Sequence, residues 1–253
     1  MADFVLIHGV NGVAHQWEPV VRILEESHTV TALDLPALDS AEAVAEWVSE
    51  RIPEAGIVVG HSFGGVVAQA LLEQHPEKCL ALVLVNASLR ADPPERVAER
   101  LARLESMTSE ERYVDSVMSN VSRVYHPDRL ADETLMRDRR SAVSEYGLKK
   151  FKAHTTALIS RIDRTDVVKR SSLPVLVVAA SEDQVVPSVE QGKWAADIDA
   201  LFLQIPRTGH MLPSEDPVTL GQAVKLWADS MAVGRHPEAH DGSARQCPQT
   251  IEA

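Results

Sequence analysis

The segment Ile57-Val-Val-Gly-His-Ser-Phe-Gly-Gly65 holds the clearest chemistry in this 253-residue chain. Ser62 sits there between Gly60 and Gly64, after an apolar run and before a run with helical spacing. Gly-x-Ser-x-Gly in that setting makes a strained strand-to-helix turn that lifts the serine hydroxyl clear of the strand ends. Larger residues two positions either side would collide, and the following helix aims its first N–H groups at any negative charge that develops beside the serine. A hydroxyl is a weak nucleophile without a base. His210, in Arg207-Thr-Gly-His-Met211, is the candidate base, because loops at the carboxyl edge of a parallel sheet converge on one region. The imidazole needs a carboxylate to hold its tautomer and stabilise its charged form. Asp183, in Ala180-Ser-Glu-Asp-Gln-Val-Val-Pro187, is the expected partner. The adjacent Glu182 competes with it, and one residue of offset decides which side chain turns inward. Attack on a carbonyl makes an oxyanion that needs prearranged N–H donors. The backbone N–H of Phe63 is one candidate and that of Val10, in His8-Gly-Val-Asn-Gly12, is the other.

These residues need a frame that brings them together. Short β-branched runs alternate with helical patterns: strands at Phe4–His8, Thr29–Leu35, Gly56–Gly60 and Leu80–Val85, with helices at Trp17–Leu24 and Val66–Gln74. Asp39 is placed to cap another helix through Trp47 and Ile52, with Glu42 as its capping-box partner. This βαβαβαβ order predicts an α/β fold with a mostly parallel, doubly wound sheet covered on both faces. From about Leu89 to Lys169 the strands stop, and Pro93–Leu104, Glu110–Val124 and Leu135–Ile162 read as helices. Strands resume at Val175–Ala180 and Leu201–Ile205, and a last helix runs from about Pro217 to Met231. The expected organisation is a core at 1–89 and 168–232, a helical cap at 90–167, and a disordered tail at 233–253.

Composition narrows the function. A net charge of −12 repels phosphate backbones, so no nucleic-acid partner is expected. No apolar stretch approaches membrane-spanning length, and the start has no basic n-region; a cytoplasmic location and no membrane partner are expected. Cys79 and Cys247 form neither a disulfide framework nor a metal spacing, so no metal is expected.

The motifs His8-Gly9, Asp34-Leu-Pro36, Gly60-His-Ser-Phe-Gly-Gly65, Ser181-Glu-Asp183 and Gly209-His210, in that order, resemble the α/β-hydrolase superfamily over residues 4–231. The resemblance implies a sheet of about six strands, a helical cap over the pocket, no cofactor, and a serine enzyme acting on a small to medium carboxylic ester or lactone. Three departures stand out. Relatives commonly have two strands before the His-Gly strand, whereas this chain begins there, as in the compact methylesterase and hydroxynitrile-lyase group. Ala37-Leu-Asp-Ser40 replaces a usual Gly-x-Gly-x-Ser, and Ala180 replaces a frequent glycine. Carbon–carbon hydrolysis or a lyase reaction on the same three residues is the first alternative, since some carbon–carbon hydrolases resemble this Ser-Phe-Gly-Gly run. A non-catalytic ligand receptor is the second.

Gly9, Asn11, His61, Trp17, Tyr125 and Met211 are candidate substrate-binding residues, although Trp17 also fits a core position. His126 and His154 can line the pocket too, with a core or surface place favoured for His154. Arg137, Arg139, Arg140, Lys149, Lys150 and Lys152 read as a solvated helix face. The substrate is expected to be a small molecule, and the protein a monomer or homodimer.

Overall fold

The computed structural model describes residues 2–52 and 54–233. Strand β1 (Asp3–Ile7) leads through α1 (Glu18–Leu24) to β2 (Thr29–Leu33). Helix α2 (Ala41–Ser49) returns the chain to β3 (Gly56–His61), and α3 (Phe63–Gln74) continues to β4 (Cys79–Val85). A helical insertion follows: α4 (Pro94–Ser106), α5 (Glu110–Met118) and α6 (Glu133–Ser160), with α7 (Thr165–Ser171) leading back to β5 (Val175–Ala180). Then come α8 (Ser188–Asp197), β6 (Leu201–Ile205), α9 (Leu212–Glu215) and α10 (Pro217–Val233). The expected tail beyond Val233, Cys247 included, lies outside the described residues; Val233 itself ends α10.

The six strands run in the order β2-β1-β3-β4-β5-β6, and every pairing is parallel. Side chains alternate across the sheet as strand geometry requires. Val5, Ile7, Val58, Leu82, Leu84 and Val177 face α2, α3 and α8. Phe4, Leu6, Val59, Val83 and Val178 face Trp17, α1 and α10. Each such side chain, fully buried, contributes roughly 1.5–3 kcal/mol, and the central strands β3 and β5 are buried along their whole length. The edge strands depart from that rule: Thr29 and Thr31 of β2 and Leu201 and Phe202 of β6 are exposed, because each edge has a neighbour on one side alone. The order reverses between β1 and β3, and the carboxyl-end crevice at such a switch point is where open parallel sheets bind ligands. The Gly9–Gly12 loop leaves β1 there and Ser62 leaves β3.

Three expectations about helices are corrected. The cap of α2 is Ser40, whose hydroxyl accepts from Ala43 N–H at 3.1 Å, and the helix ends at Ser49 instead of reaching Ile52. The sequence offers Asp39 and Ser40 side by side, and the backbone turns one residue later than the spacing implied. The helix expected over Glu110–Val124 stops at Met118 and continues as a 3-10 turn at Val121–Arg123. The long helix expected over Leu135–Ile162 is broken at Gly147, where φ is 76° and ψ 159°. The carboxylate of Glu110 accepts Leu148 N–H beyond the break, at 2.9 and 3.2 Å, and so caps the second half. The insertion has its own small core of Met107, Tyr113, Val117, Ala142, Val143, Tyr146 and Phe151, into which Val13 of the β1 loop also packs. Among the described residues, no helix is long and apolar enough to cross a membrane.

Candidate active site

Ser62 lies in the turn between β3 and α3 with φ 52° and ψ −113°, a conformation costly for a residue with a side chain. The turn is tight enough that a Cβ on Gly60 would stand 2.4 Å from Gly64 O, and one on Gly64 would stand 2.2 Å from Ile7 O. Ser62 Oγ is 2.9 Å from His210 Nε2, and His210 Nδ1 is 2.8 Å from Asp183 Oδ2. The carboxylate can only accept, so Nδ1 donates and Nε2 is left to accept the serine proton. Asp183 is buried, and its other oxygen, Oδ1, accepts Val185 N–H at 2.7 Å and Val186 N–H at 2.9 Å. Glu182 is exposed and accepts Thr208 N–H instead, so the two adjacent carboxylates separate as strand-end geometry demands.

The imidazole is held by residues whose part was not foreseen. Asn86, fully buried at the end of β4 with φ 47°, donates Nδ2 to His210 O at 2.9 Å and to Gly209 O at 3.3 Å. Its Oδ1 accepts Ala180 N–H at 2.8 Å, so one side chain ties β4, β5 and the histidine loop together. The only advance signal was a polar residue ending an apolar run. His61, expected to touch substrate, is buried behind the site and donates Nε2 to His210 O at 2.8 Å. Burial first, then the neighbouring His210 charge, lowers its pKa to about 3, so it is a neutral donor. The buried carboxylate of Glu215 accepts Gly209 N–H at 3.0 Å and His126 N–H at 2.7 Å, joining this loop to the insertion. Burial raises the Glu215 pKa.

The β1 loop is gripped from two sides. His8 Nδ1 donates to Gly9 O at 2.9 Å, and His8 Nε2 accepts Leu35 N–H at 3.1 Å. Burial lowers this imidazole to about 4. Asn11, with φ 62°, receives Arg139 Nη1 on its carbonyl oxygen at 2.7 Å and the Tyr113 hydroxyl on Oδ1 at 2.8 Å. The hydroxyl of Tyr146, whose ring lies beside that of His8, meets His154 Nδ1 at 2.5 Å. His154 also donates Nε2 to Pro36 O at 2.7 Å and stacks on Phe63, with ring centroids 4.7 Å apart. His154 is therefore fully buried, on the core side of the choice left open for it.

A cavity of about 940 Å³ opens between the sheet edge and the insertion, and Val10, Asn11, Ser62, Phe63, His210 and Met211 line it. Four substrate-binding expectations are corrected. Trp17 is packed in the core on the α10 side of the sheet, Tyr125 is buried, and neither is among the described residues lining the cavity. Gly9 and His61 do not line it either: a Cβ on Gly9 would stand 3.0 Å from both Ser62 Cβ and His61 Nδ1, so Gly9 serves the close approach of two loops. Arg139 was expected on a solvated face, but it is 3% exposed and does line the cavity. Its helix turns that position inward to meet Asn11.

A family model described as the alpha/beta hydrolase family matches residues 4–223. The chain belongs to this family. An uncharacterised hydrolase, YugF, of Bacillus subtilis is 23% identical over 241 residues, spanning 87% of each chain. The pimeloyl-[acyl-carrier protein] methyl ester esterase of Chromobacterium violaceum is 24% identical over 222 residues, 82% of this chain and 87% of that one. Among solved structures, a thermophilic esterase from Thermogutta terrifontis superposes with a TM-score of 0.82 at 21% identity, covering 91% of this chain and 90% of that one. The α/β-hydrolase fold is common ground between this chain and the superposed esterase.

Proposed function

We propose that the protein hydrolyses a small to medium carboxylic ester, or a lactone with the same carbonyl chemistry, through an acyl-enzyme. The supporting observation is the unbroken hydrogen-bonded line from Ser62 Oγ through His210 to the buried Asp183 carboxylate. In this reading His210 Nε2 takes the Ser62 proton as Oγ attacks the carbonyl carbon. The negative oxygen is held by the N–H groups of Phe63 and Val10, and the N–H of Phe63 is free because the first turn of a helix has no acceptor for it. His210 returns the proton to the departing alcohol, then takes one from water as hydroxide attacks the acyl-enzyme. The carboxylic acid leaves and the Ser62 hydroxyl is restored. Asp183 stays ionised and stabilises the imidazolium. The esterase named among the sequence relatives agrees with this reaction class.

The test pairs a fluorophosphonate probe with turnover of p-nitrophenyl esters. The expected outcome is stoichiometric labelling at Ser62, ester turnover, and a loss of at least ~10⁴-fold in kcat in Ser62→Ala. Labelling without ester turnover would move the reading to carbon–carbon cleavage or a lyase reaction. No labelling of the folded protein would point to a ligand receptor.

A further inference from the structure

The cavity wall has a charge that hydrolysis itself does not require. Seven of its lining residues are arginines, against three carboxylates, Asp92, Glu99 and Glu190, in a chain of net charge −12. Some of this is internal pairing. Asp92 is shared between Arg100 at 2.6 Å and Arg161 at 2.7 Å, Arg90 meets Asp197 at 3.2 Å, and Glu190 meets Lys193 at 2.7 Å. Arg96, Arg103, Arg123 and Arg139 are different: among the described residues none of them has a carboxylate within ion-pair distance. Arg139 is 3% exposed and has one bond, to Asn11 O, while its Nε is buried with no acceptor. A buried guanidinium N–H left unmet costs free energy that folding alone gives no reason to accept. Arg103 lies over the Phe151 ring at 5.4 Å. Its pKa is lowered first by burial and then by Arg100, with Arg123 and Arg139 adding to the repulsion. Helix α4 also sets Arg96, Arg100 and Arg103 at i, i+4 and i+7 on its cavity face, where like charges oppose one another by a few tenths of a kcal/mol per pair.

We propose that Arg103, Arg123 and Arg139 form an anion-binding subsite in the cavity that holds Ser62, selecting esters whose acyl or alcohol part carries a second, anionic oxygen group, carboxylate or phosphate. The reading rests on the proposed hydrolysis at Ser62 and adds the substrate class. Guanidinium groups suit this task because they stay charged and offer planar pairs of donors to carboxylate or phosphate oxygens. The acidic exterior repels such substrates at long range, so the discrimination has to be local.

The test compares kcat/KM for mono-p-nitrophenyl adipate with that for p-nitrophenyl hexanoate, which matches it in length and lacks the charge. The wild-type protein is expected to favour the adipate ester by about tenfold, with the margin shrinking as salt is added. The double variant R103Q/R123Q is expected to bring the ratio close to one. Both residues keep much of their surface in solvent, although the guanidinium end of Arg103 is drawn in over Phe151, so the fold is retained, and Arg139 is left intact because it also anchors Asn11. Arg137→Gln, an exposed arginine outside the cavity, should keep the wild-type ratio. Free adipate and inorganic phosphate as competing inhibitors distinguish the two kinds of anion. A wild-type ratio at or below one, or a ratio unchanged in R103Q/R123Q, overturns the subsite while leaving the hydrolase reading intact. If neither ester is turned over, the hydrolase reading fails, and calorimetric titration with adipate decides the subsite. Binding lost in R103Q/R123Q supports it, and no binding to the wild-type protein overturns it.

Discussion

Ser62, His210 and Asp183 can form a line because smaller, less visible residues fix where the imidazole stands. Two donors, from His61 and Asn86, meet on the single carbonyl oxygen of His210. A loop that follows an edge strand would otherwise be free to drift, and a displacement of about 1 Å is enough to cost on the order of 100-fold in rate. Asn86→Ala removes the donor to His210 O and leaves Ala180 N–H unmet in the interior. The expected result is a loss of about 1–3 kcal/mol in stability and a fall in kcat of roughly tenfold or more, with KM changed less. Thermal unfolding and steady-state kinetics on any turned-over ester check both. His61 sits inside the Gly-x-Ser-x-Gly motif and was still read wrongly, as a pocket residue. Sequence says that position 61 adjoins the nucleophile, but not that the last residue of β3 points back under the histidine loop.

At the scale of elements, the insertion does more than roof the cavity. Tyr113 of α5 and Arg139 of α6 both bond to Asn11, one residue beyond the proposed oxyanion donor Val10. The insertion therefore orders the loop that the proposed reaction needs. Tyr113→Phe deletes one of these bonds with no change in shape and is expected to lower kcat/KM about fivefold, close to the ~1 kcal/mol of one net hydrogen bond. An unchanged value would mean that Asn11 is held without it. The return of the chain is secured by Arg164, which is 1% exposed and pairs with Glu73 of α3 at 2.8 Å and with Glu42 of α2. The break in α6 is also functional architecture, because it lets one half present Arg139 and Tyr146 to the β1 loop while the other carries His154 to Phe63. Gly147→Ala puts a Cβ where φ is 76°, and about 1–2 kcal/mol of stability should be lost in chemical denaturation.

The molecule as a whole depends on histidines kept neutral. His8 accepts from a backbone N–H and donates to a carbonyl, and His154 stands between a tyrosine hydroxyl and a carbonyl; each has the one-donor, one-acceptor pattern of an uncharged ring. Burial lowers both to about 4, and burial with the nearby His210 charge lowers His61 to about 3. In the unfolded chain these rings titrate near ~6.5. Between pH 6.5 and 4 the unfolded state thus binds protons that the folded state excludes, so stability falls as pH falls through that window. By pH 5 the loss is about 1–2 kcal/mol per histidine, while Glu215, with its raised pKa, offsets part of it towards the acid end. The melting temperature should drop between pH 7 and pH 5, and a flat profile would contradict the neutral assignment.

The motifs by themselves determined the family, the parallel sheet, and the three residues that would have to meet, because these depend on local patterns: apolar runs of strand length, glycines beside a serine, and a carboxylate and a histidine just after strands. Position in the chain also favoured Asp183 over Glu182, and Asp183 is the carboxylate that meets His210 in the structure. Tertiary structure alone decided that Trp17, Tyr125 and His61 are buried outside the cavity lining while Arg139 is part of it, and that Asn86, Glu215, Tyr113 and Tyr146 hold the loops. Those roles come from contacts between segments 128 residues apart for Asn11 with Arg139 and 124 for Asn86 with His210, and the helical period at one position carries no information about which distant backbone it will meet.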